Sequence, residues 1–349
     1  MKAMILAAGV GSRLDPLTRN VPKPMVPIAN KPVIEHIIEV LREHGFKEIM
    51  INVHYLAEKI TGWLGNGEKW GVSIKYSYEE EPLGTAGGVK KSEDFFDGTF
   101  LVVGADDLCD IDLRRVLAYH QEKRALATIA LSLVDDPSEY GVVLTNERGK
   151  VIAFIEKPKG ERIPSNTVNT GIYILEPEVL ELIPKGEFFD FGRDLFPLLI
   201  DKKVPFYGYL ALGYWKDVGN IKQYKETHRD VLYKRVNFKV PLKEVRPFFW
   251  QGEDVEIEPS SYIEYPVVIG NRCAIKKGAR ILEGTVLADD CVVEEGAVVK
   301  QSILWRGAKV GKKTMIEGCI VGEECEVSSN AAIFEGIIVS PFRREGGGK

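Results

Sequence analysis

The sequence predicts two domains, an α/β domain with a mixed, mostly parallel sheet and a parallel β-helix after it. Three observations support this prediction. Strand and helix patterns alternate along the first part of the chain, a glycine-rich loop follows the first strand, and a six-residue apolar period replaces helical periodicity after about residue 236. The 349 residues also exceed the size at which one hydrophobic core usually stops growing. We expect domains at 1–235 and 257–340, a linker at 236–256 and a flexible tail at 341–349.

The first domain begins with an apolar strand at residues 2–7, followed by the glycine-rich loop and by a helix at 33–44. Gly45 is a typical residue to end that helix. Further patterns then alternate along the chain, with strands at 49–53 and 100–104 and helices near 57–64, 85–94 and 113–123. This order is typical of a Rossmann-like domain with a mostly parallel sheet.

The second domain is predicted from aliphatic residues that recur at a spacing of six, with a small residue two positions before most of them. The uninterrupted series is Ile257, Ile263, Ile269, Ile275, Ile281, Leu287, Val293 and Val299. The series is interrupted around Trp305, resumes at Val310 and slips by one residue before Val321. This period resembles the left-handed parallel β-helix, in which three hexapeptides form one coil. Four of the five cysteines occupy the small position, which favours a packing role for them.

Composition limits the classes of function. Apolar residues make up 45% of the chain and charged residues 28%, and a net charge of −5 offers no basic surface for a nucleic-acid partner. The apolar run at the N-terminus is too short for a signal peptide or a membrane span. Five cysteines without a CxxC pair fit a reducing compartment. We therefore expect a cytoplasmic protein with no membrane partner.

The glycine-rich loop lacks the third glycine of a dinucleotide fingerprint, and the chain has no Walker A spacing. Small residues there let backbone N–H groups approach phosphate oxygens, and Arg13 and Lys23 add positive charge. The whole run over residues 6–32, LAAGVGSRLDPLTRNVPKPMVPIANKP, closely resembles the signature of the sugar-nucleotide pyrophosphorylases, also called nucleotidyltransferases. The resemblance implies that Arg13 binds the β- and γ-phosphates of a nucleoside triphosphate and that Lys23 binds near the α-phosphorus.

The segment from Glu79 to Gly88 resembles the nucleobase loop of the same family. A carboxylate only accepts hydrogen bonds, so Glu79 suits the adjacent N1–H and N2–H₂ donors of guanine, although it could also accept from N3–H of uracil. Gly84 is expected to let the backbone pass close to the base. The nucleotide-binding residues implied by the resemblance are Ala8, Gly9, Gly11, Ser12, Glu79, Pro82, Gly84 and Thr85.

Two aspartates are the candidate metal ligands. Asp106 follows a buried strand, which places it at the carboxyl end of the sheet, where ligand sites of α/β folds form. By resemblance Asp106 binds Mg²⁺, with Asp107 left as the alternative, and Asp217 is the second metal-binding aspartate. Together with Arg13 and Lys23, these two residues form the predicted catalytic set. The sugar-phosphate residues implied by the resemblance are Gly141, Glu156, Lys157, Asn169, Thr170 and Gly171.

The implied reaction is attack of a sugar 1-phosphate oxygen on the α-phosphorus, with release of pyrophosphate. The nucleophile is already ionised, so positioning and charge neutralisation are the catalytic needs. We prefer GTP and mannose 1-phosphate, giving GDP-mannose, through Glu79 and a likeness to mannose-1-phosphate guanylyltransferases. The alternatives are glucose 1-phosphate with UTP or dTTP, and a catalytically silent regulatory paralogue. Acyl transfer by the β-helix is disfavoured, because no histidine follows His228. The β-helix is expected to be structural and the protein to be a homo-oligomer.

Overall fold

The structure is a computed structural model that describes residues 1–158 and 163–339. The predicted tail at 341–349 lies outside the described residues. The chain forms two compact units that alternate along the sequence near the N-terminus. The first unit comprises Met1–Gly11, Pro22–Met25 and Val33–Val218, and the second comprises Ser12–Val21, Val26–Pro32 and the chain from Gly219 onward. In the described part of the chain, no helix is long and apolar enough to cross a membrane.

The α-helices in residues 1–158 and 163–339 are α1 (Val33–Glu43), α2 (Ala57–Leu64), α3 (Gly84–Lys91), α4 (Leu113–Lys123), α5 (Phe196–Asp201) and α6 (Ile221–Leu232). Short 3₁₀ helices span Ser12–Leu14, Leu17–Arg19, Lys23–Met25, Glu68–Trp70, Glu93–Phe95 and Pro177–Leu182, and a π-helix spans Phe191–Leu195. The strands before residue 218 are β1 (Lys2–Leu6), β2 (Pro27–Ile28), β3 (Lys31–Pro32), β4 (Glu48–Val53), β5 (Ser73–Tyr78), β6 (Phe100–Gly104), β7 (Asp107–Cys109), β8 (Ala127–Leu133), β9 (Gly141–Thr145), β10 (Val151–Glu156), β11 (Thr167–Leu175), β12 (Phe206–Leu210) and β13 (Trp215–Asp217).

The first unit contains a mixed sheet with the strand order β10-β9-β11-β6-β1-β4-β5, in which β8 pairs with both β11 and β12. Strands β1, β4, β5 and β6 are parallel, whereas β11 runs antiparallel to β6 and β8. The predicted mixed, mostly parallel sheet is confirmed. The carboxyl ends of β1, β4 and β6 therefore meet at one edge, where polar side chains can face a ligand without disturbing the apolar strands.

The second unit contains the strands β14 (Lys243–Arg246), β15 (Phe249–Gln251), β16 (Glu256–Ile257), β17 (Tyr262–Ile263), β18 (Val267–Ile269), β19 (Ala274–Ile275), β20 (Arg280–Ile281), β21 (Thr285–Leu287), β22 (Val292–Val293), β23 (Val298–Lys300), β24 (Ile303–Leu304), β25 (Lys309–Val310), β26 (Met315–Glu317), β27 (Ile320–Val321), β28 (Glu326–Val327), β29 (Ala332–Phe334) and β30 (Ile337–Ile338). From β15 onward these strands form three parallel sheets that the chain visits in turn. Ile257, for example, pairs with Ile275, which pairs with Val293. The unit is a three-faced parallel β-helix, consistent with the predicted left-handed form.

The series of buried aliphatic residues in the β-helix continues at the point where the sequence suggested an interruption. Leu304 pairs with Leu287 and with Val321, and its side chain is fully buried. The expected interruption at Trp305 is therefore wrong: the chain shortens one side of the coil by one residue but keeps the buried position filled. A search at a fixed spacing of six misses Leu304, because it follows Val299 at a spacing of five.

The sheets also extend into the segment predicted as a linker. Phe249 of β15 pairs with Val267 of β18, so parallel pairing begins before residue 257. Strand β14 pairs antiparallel with β15 and covers that edge, as exposed sheet edges usually require. Helix α6, which the sequence analysis placed with residues 1–235, belongs to the second unit. The four cysteines at the small positions are buried in the β-helix core, as predicted: Cys273, Cys291, Cys319 and Cys325.

Candidate active site

A pocket of about 420 Å³ opens in the first unit at the carboxyl ends of β1, β4 and β6. Of the residues predicted from the sequence, eight line it: Ala8, Gly9, Glu79, Pro82, Gly84, Thr85, Asp106 and Gly171. Seven further residues complete the lining: Leu6, Asn52, Gly104, Asp107, Tyr173, Phe188 and Asp190. The segments predicted to bind the nucleotide, the metal and the sugar thus meet in one cavity.

Asn52 supports the loop that follows β1. Its side-chain oxygen accepts a hydrogen bond from the backbone N–H of Ala7 at 2.8 Å, and its Nδ2 donates to Glu79 Oε1 at 2.7 Å. Asn52 is only 2% exposed, so both polar atoms depend on these protein partners. One buried amide therefore joins the glycine-rich loop to the predicted nucleobase loop.

Glu79 is buried and uses both carboxylate oxygens within the protein. Oε1 accepts from Asn52, and Oε2 accepts from the backbone N–H of Leu83 at 3.0 Å, at the start of α3. A carboxylate oxygen has two lone pairs, so contact with a base is still possible. The geometry nevertheless gives Glu79 a structural task that the sequence analysis did not foresee, which is to hold the turn into α3.

Gly84 is required by its neighbours in the protein. Its φ is +73°, and a Cβ atom at this position would lie 2.6 Å from the carbonyl oxygen of Phe189. The same oxygen accepts hydrogen bonds from the backbone N–H groups of Ala86 and Gly87, both at 2.9 Å. The sequence analysis expected a glycine here so that the backbone can pass close to a base. The structure adds a second requirement, which is the close contact with Phe189 in the segment before the π-helix.

Thr85 lies in the pocket wall, but its hydroxyl has partners in the same segment. Oγ1 donates to Asp190 Oδ2 at 2.8 Å and accepts from the backbone N–H of Phe191 at 2.9 Å. Asp190 Oδ1 in turn accepts from the N–H of Gly192 and so caps the π-helix. Thr85 therefore joins the start of α3 to the opposite wall of the pocket.

The charged centre of the site consists of Lys23, Asp106 and Asp217. The ammonium of Lys23 forms an ion pair with Asp106 Oδ2 and lies 3.6 Å from Asp217 Oδ1. Strand β13 pairs antiparallel with β7, and the N–H of Val218 donates to the carbonyl of Asp106 at 2.9 Å, which brings Asp217 to the end of β6. Burial raises the pKa of the Asp106 carboxyl, but the charge and hydrogen bond of Lys23 outweigh it, and the net shift is downward.

Asp107 has a different environment from Asp106. Its carboxylate lies against Gly104 and Gly171, where a Cβ atom on either glycine would collide with it. Burial, followed by the charges of Asp106 and Asp217, raises the pKa of Asp107 well above its usual value. The structure thus brings Asp106, and not its neighbour, into the pair with Lys23. The assignment of Asp106 as a metal ligand stays a prediction.

The segment from Asn169 to Gly171 forms an irregular stretch of β11, where the register with β8 shifts. Asn169 Nδ2 donates to the hydroxyl of Tyr173 at 3.0 Å, and its Oδ1 accepts from the N–H of Gly171 at 2.8 Å. Thr170 is fully buried and donates to the carbonyl of Ala130 at 2.9 Å. Of these three predicted sugar-binding residues, only Gly171 lines the pocket.

Glu156 and Gly141 face each other across β10 and β9. A Cβ atom on Gly141 would lie 3.2 Å from Glu156 Oε2, and one on Gly192 would lie 2.9 Å from the same oxygen. Burial raises the pKa of the Glu156 carboxyl, and Lys157 opposes that shift. The backbone N–H of Lys157 donates to the carbonyl of Tyr140 at 3.1 Å. Gly141, Glu156 and Lys157 are not part of the pocket lining.

Two predicted phosphate-binding residues belong to the other unit. Ser12 and Arg13 lie in the segment Ser12–Val21, and both are exposed, whereas Gly11 ends the first segment of the first unit. In residues 1–158 and 163–339, no group of three or more His, Cys, Asp or Glu side chains is arranged to hold a metal ion.

Sequence reasoning missed Asn52, Tyr173, Phe188 and Asp190. Asn52 could have been identified from the sequence, because it is the polar residue in the otherwise apolar run IMINV, and a buried polar residue needs partners. Asp190 carried a weaker signal, because aspartate is among the preferred residues at a helix N-cap. The exposed Phe188 could be assigned to the pocket only from the tertiary fold.

Comparison with known proteins agrees with this geometry. Residues 2–234 match the nucleotidyl transferase family. The chain belongs to this family. Residues 247–344 also match the GMPPB C-terminal domain. The homologues are sugar-1-phosphate nucleotidyltransferases, and the enzyme class predicted from the sequence is confirmed.

Three relatives illustrate the range of this nucleotidyltransferase family. A UTP–glucose-1-phosphate uridylyltransferase from Synechocystis sp. is 41% identical, over 95% of this chain and 90% of the relative. A mannose-1-phosphate guanyltransferase from Candida albicans is 35% identical, over 98% and 96%. The crystal structure of HddC from Yersinia pseudotuberculosis in complex with GMP-PN has a TM-score of 0.58 and 26% identity, covering 66% of this chain and 99% of HddC.

Proposed function

We propose that this nucleotidyltransferase transfers a nucleotidyl group from a nucleoside triphosphate to a sugar 1-phosphate and releases pyrophosphate. The observation that supports this most is the placement of Lys23 between the carboxylates of Asp106 and Asp217, beside a glycine-rich loop held by Asn52. Such a centre combines a mobile cation with backbone N–H donors, which is what the transfer of a phosphoryl group requires.

In this proposal each of the predicted binding residues has one task. The backbone of Ala8 and Gly9 binds phosphate oxygens, Lys23 neutralises charge near the α-phosphorus, and Arg13 binds the outer phosphates. On the sugar side, Lys157 binds the phosphate of the sugar 1-phosphate, while Glu156 accepts hydrogen bonds from sugar hydroxyls. Since the attacking oxygen is already ionised, the chain contributes orientation and charge and does not need to remove a proton.

The residues present fit a magnesium ion. Asp106 and Asp217 both approach the Lys23 ammonium, so their oxygens converge on one cationic position. Two carboxylates, completed by phosphate oxygens and water, form the hard oxygen shell that Mg²⁺ prefers. When bound, Mg²⁺ would neutralise the charge that develops on the phosphate oxygens.

The preferred substrates are GTP and mannose 1-phosphate. Three observations support this pair: the carboxylate of Glu79 in the pocket, the match of residues 247–344 to the GMPPB C-terminal domain, and the guanyltransferase of Candida albicans among the relatives. The second candidate is UTP with glucose 1-phosphate, which is favoured by the relative from Synechocystis at 41% identity. Both pairs share the same chemistry at the α-phosphorus.

A matrix of triphosphates against sugar 1-phosphates, measured by pyrophosphate release with Mg²⁺, tests the proposal. We expect the highest kcat/KM for GTP with mannose 1-phosphate. A maximum for UTP with glucose 1-phosphate would establish the second candidate. No release with any pair would contradict the proposal and favour the regulatory paralogue.

A pair of isosteric variants tests the catalytic centre. Asp106→Asn removes the charge that pairs with Lys23, and we expect kcat to fall on the order of 10²-fold to 10³-fold, as for the loss of other transition-state contacts. Asp107→Asn, whose carboxylate packs against two glycines, should lose far less. Circular dichroism of both variants controls for folding. An equal loss in the two variants would contradict the assignment of Asp106.

We further propose that the enzyme works as a homo-oligomer in the cytoplasm. All five cysteines are buried and none forms a disulfide bond, which fits a reducing compartment. In the last coil that the structure describes, Phe334 has 58% of its surface exposed, and in this proposal a second copy covers it. Light scattering of the full-length chain tests this assembly, and a monomer at micromolar concentration would contradict it.

A further inference from the structure

The segment that follows Lys23 is a tight hairpin held within the second unit. Strands β2 and β3 are joined by Ala29 and Asn30, which have φ values of +46° and +68°. This is the backbone of a two-residue hairpin turn that usually contains glycine. For other residues the left-handed conformation is strained, and it persists when the surroundings determine it.

His228 of α6 binds the hairpin through both ring nitrogens. Nε2 lies 3.0 Å from the carbonyl of Pro27, and Nδ1 accepts from the backbone N–H of Ala29 at 3.4 Å. These partners select the neutral tautomer with its proton on Nε2. Burial lowers the pKa of His228 to about 3, so the neutral ring is kept at physiological pH.

A second chain of hydrogen bonds leads from the β-helix to the same carbonyl. Trp305 Nε1 donates to the hydroxyl of Tyr224 at 2.9 Å, and that hydroxyl donates to the carbonyl of Pro27 at 2.9 Å. On the other side of the turn, Asn30 Nδ2 donates to the carbonyl of Leu287 at 2.9 Å. Tyr224 is fully buried and Trp305 is 5% exposed, so water cannot replace these contacts. Hydrogen bonds from α6 and from two coils of the β-helix thus hold the hairpin in place.

The hairpin formed by β2 and β3 follows Lys23 closely along the chain. Lys23–Met25 form a 3₁₀ turn that belongs to the first unit, and the next residue, Val26, is fully buried in the second. Pro24 and Met25 are the two residues that separate Lys23 from Val26, so the hairpin and the lysine share a short stretch of backbone.

We propose that Tyr224 and Trp305 are positioning residues for Lys23: their hydrogen bonds fix the carbonyl of Pro27 and, through the continuous backbone, the lysine that faces Asp106 and Asp217. This inference rests on the proposed function, because it assigns Lys23 to catalysis. It gives the β-helix a task in the reaction without a catalytic group of its own. A purely structural role would predict lower stability with no dependence on Lys23.

Tyr224→Phe and Trp305→Phe test the proposal in the full-length enzyme, with the substrate pair that the matrix identifies. Each variant keeps the ring and removes one hydrogen-bonding group. We expect kcat to fall by about tenfold or more in both, since small misplacements of a catalytic group have effects of that order. Tyr233→Phe is the matched control, because Tyr233 also lies beside α6 and donates to Glu283 of the β-helix at 3.1 Å, without touching the hairpin. It should keep wild-type kcat.

A double-mutant cycle separates positioning from general loss of structure. In a Lys23→Ala background, Tyr224→Phe should cause no further fall in kcat, because the group it positions is absent. The same fold-loss in both backgrounds, or a Tyr224→Phe variant within twofold of wild type, overturns the proposal. Asn30→Gly, which keeps the left-handed backbone and removes the contact with Leu287, gives the same readout if either aromatic variant does not fold.

The outcomes also distinguish this inference from the proposed function. If Lys23→Ala alone retains full activity, the catalytic assignment of Lys23 fails, and the inference fails with it. If Lys23→Ala is strongly impaired while Tyr224→Phe and Trp305→Phe are not, only the inference fails.

Discussion

Gly171 offers a direct test of how the site accommodates Asp107. Its φ is +76°, and a Cβ atom would lie 2.9 Å from the Asp107 carboxyl carbon, closer than real Cβ atoms approach. Gly186 has nearly the same backbone conformation, with φ +77°, but no atom lies within 4 Å of the corresponding Cβ position. Replacing each glycine by alanine therefore isolates the collision from the backbone strain.

The expected loss in the free energy of unfolding differs between the two glycines. Gly186→Ala should lower the free energy of unfolding by roughly 1–2 kcal/mol, the cost of a left-handed conformation for a residue with a Cβ. Gly171→Ala bears the same strain and must also displace the buried Asp107 carboxylate, which adds roughly 1–3 kcal/mol, as overpacking does elsewhere. With a urea slope of about 3 kcal/mol per M, the second variant should unfold at a midpoint lower by a further 0.3–1 M, approximately.

Urea unfolding followed by tryptophan fluorescence measures this difference. Trp215 reports close to the substitution, since its Nε1 donates to the carbonyl of Thr170 at 2.8 Å. Comparison of the two variants in the same buffer removes effects common to any Gly→Ala change. Equal midpoints for Gly171→Ala and Gly186→Ala would refute the reasoning.

Two further predictions concern the second unit. Leu304→Ala should lower the free energy of unfolding by about 2–5 kcal/mol, as for other fully buried leucines, whereas Met315→Ala, at a position 39% exposed, should cost much less in the same denaturant titration. The neutral state of His228 should make stability fall by about 2 kcal/mol between pH 7 and pH 5, because its pKa is about 3 when folded and 6.5 in the unfolded chain. This contribution is present above pH 6.5 and is lost as the pH falls toward 3. His228→Gln should lack that part of the pH dependence, and an unchanged pH profile would contradict the assignment.

Much of the fold could be predicted because it depends on periodicity. The alternation of strands and helices and the six-residue ladder each reflect burial of one face of a repeating element, and burial leaves a regular apolar pattern in the sequence. The prediction failed at Leu304 for the same reason, because a coil shortened by one residue keeps its buried contact but breaks the period. Pairing of β15 with β18 was missed since it precedes the regular series.

The candidate site could be predicted only in part. Lys23, Asp106 and Asp217 were named from motifs, and the structure brings them together. The partners of Glu79 and Thr85 lie far away in sequence, at Asn52 and Asp190, and no local pattern records such contacts.

The sequence by itself determined the family, the two-domain architecture and the charged residues of the site, because motifs and periods are local properties of the chain. Only the tertiary structure decided that Asp106, and not Asp107, pairs with Lys23, and that the hairpin after Lys23 is fastened by Tyr224 and Trp305. These choices depend on distances between residues far apart along the chain, which packing of the folded units sets.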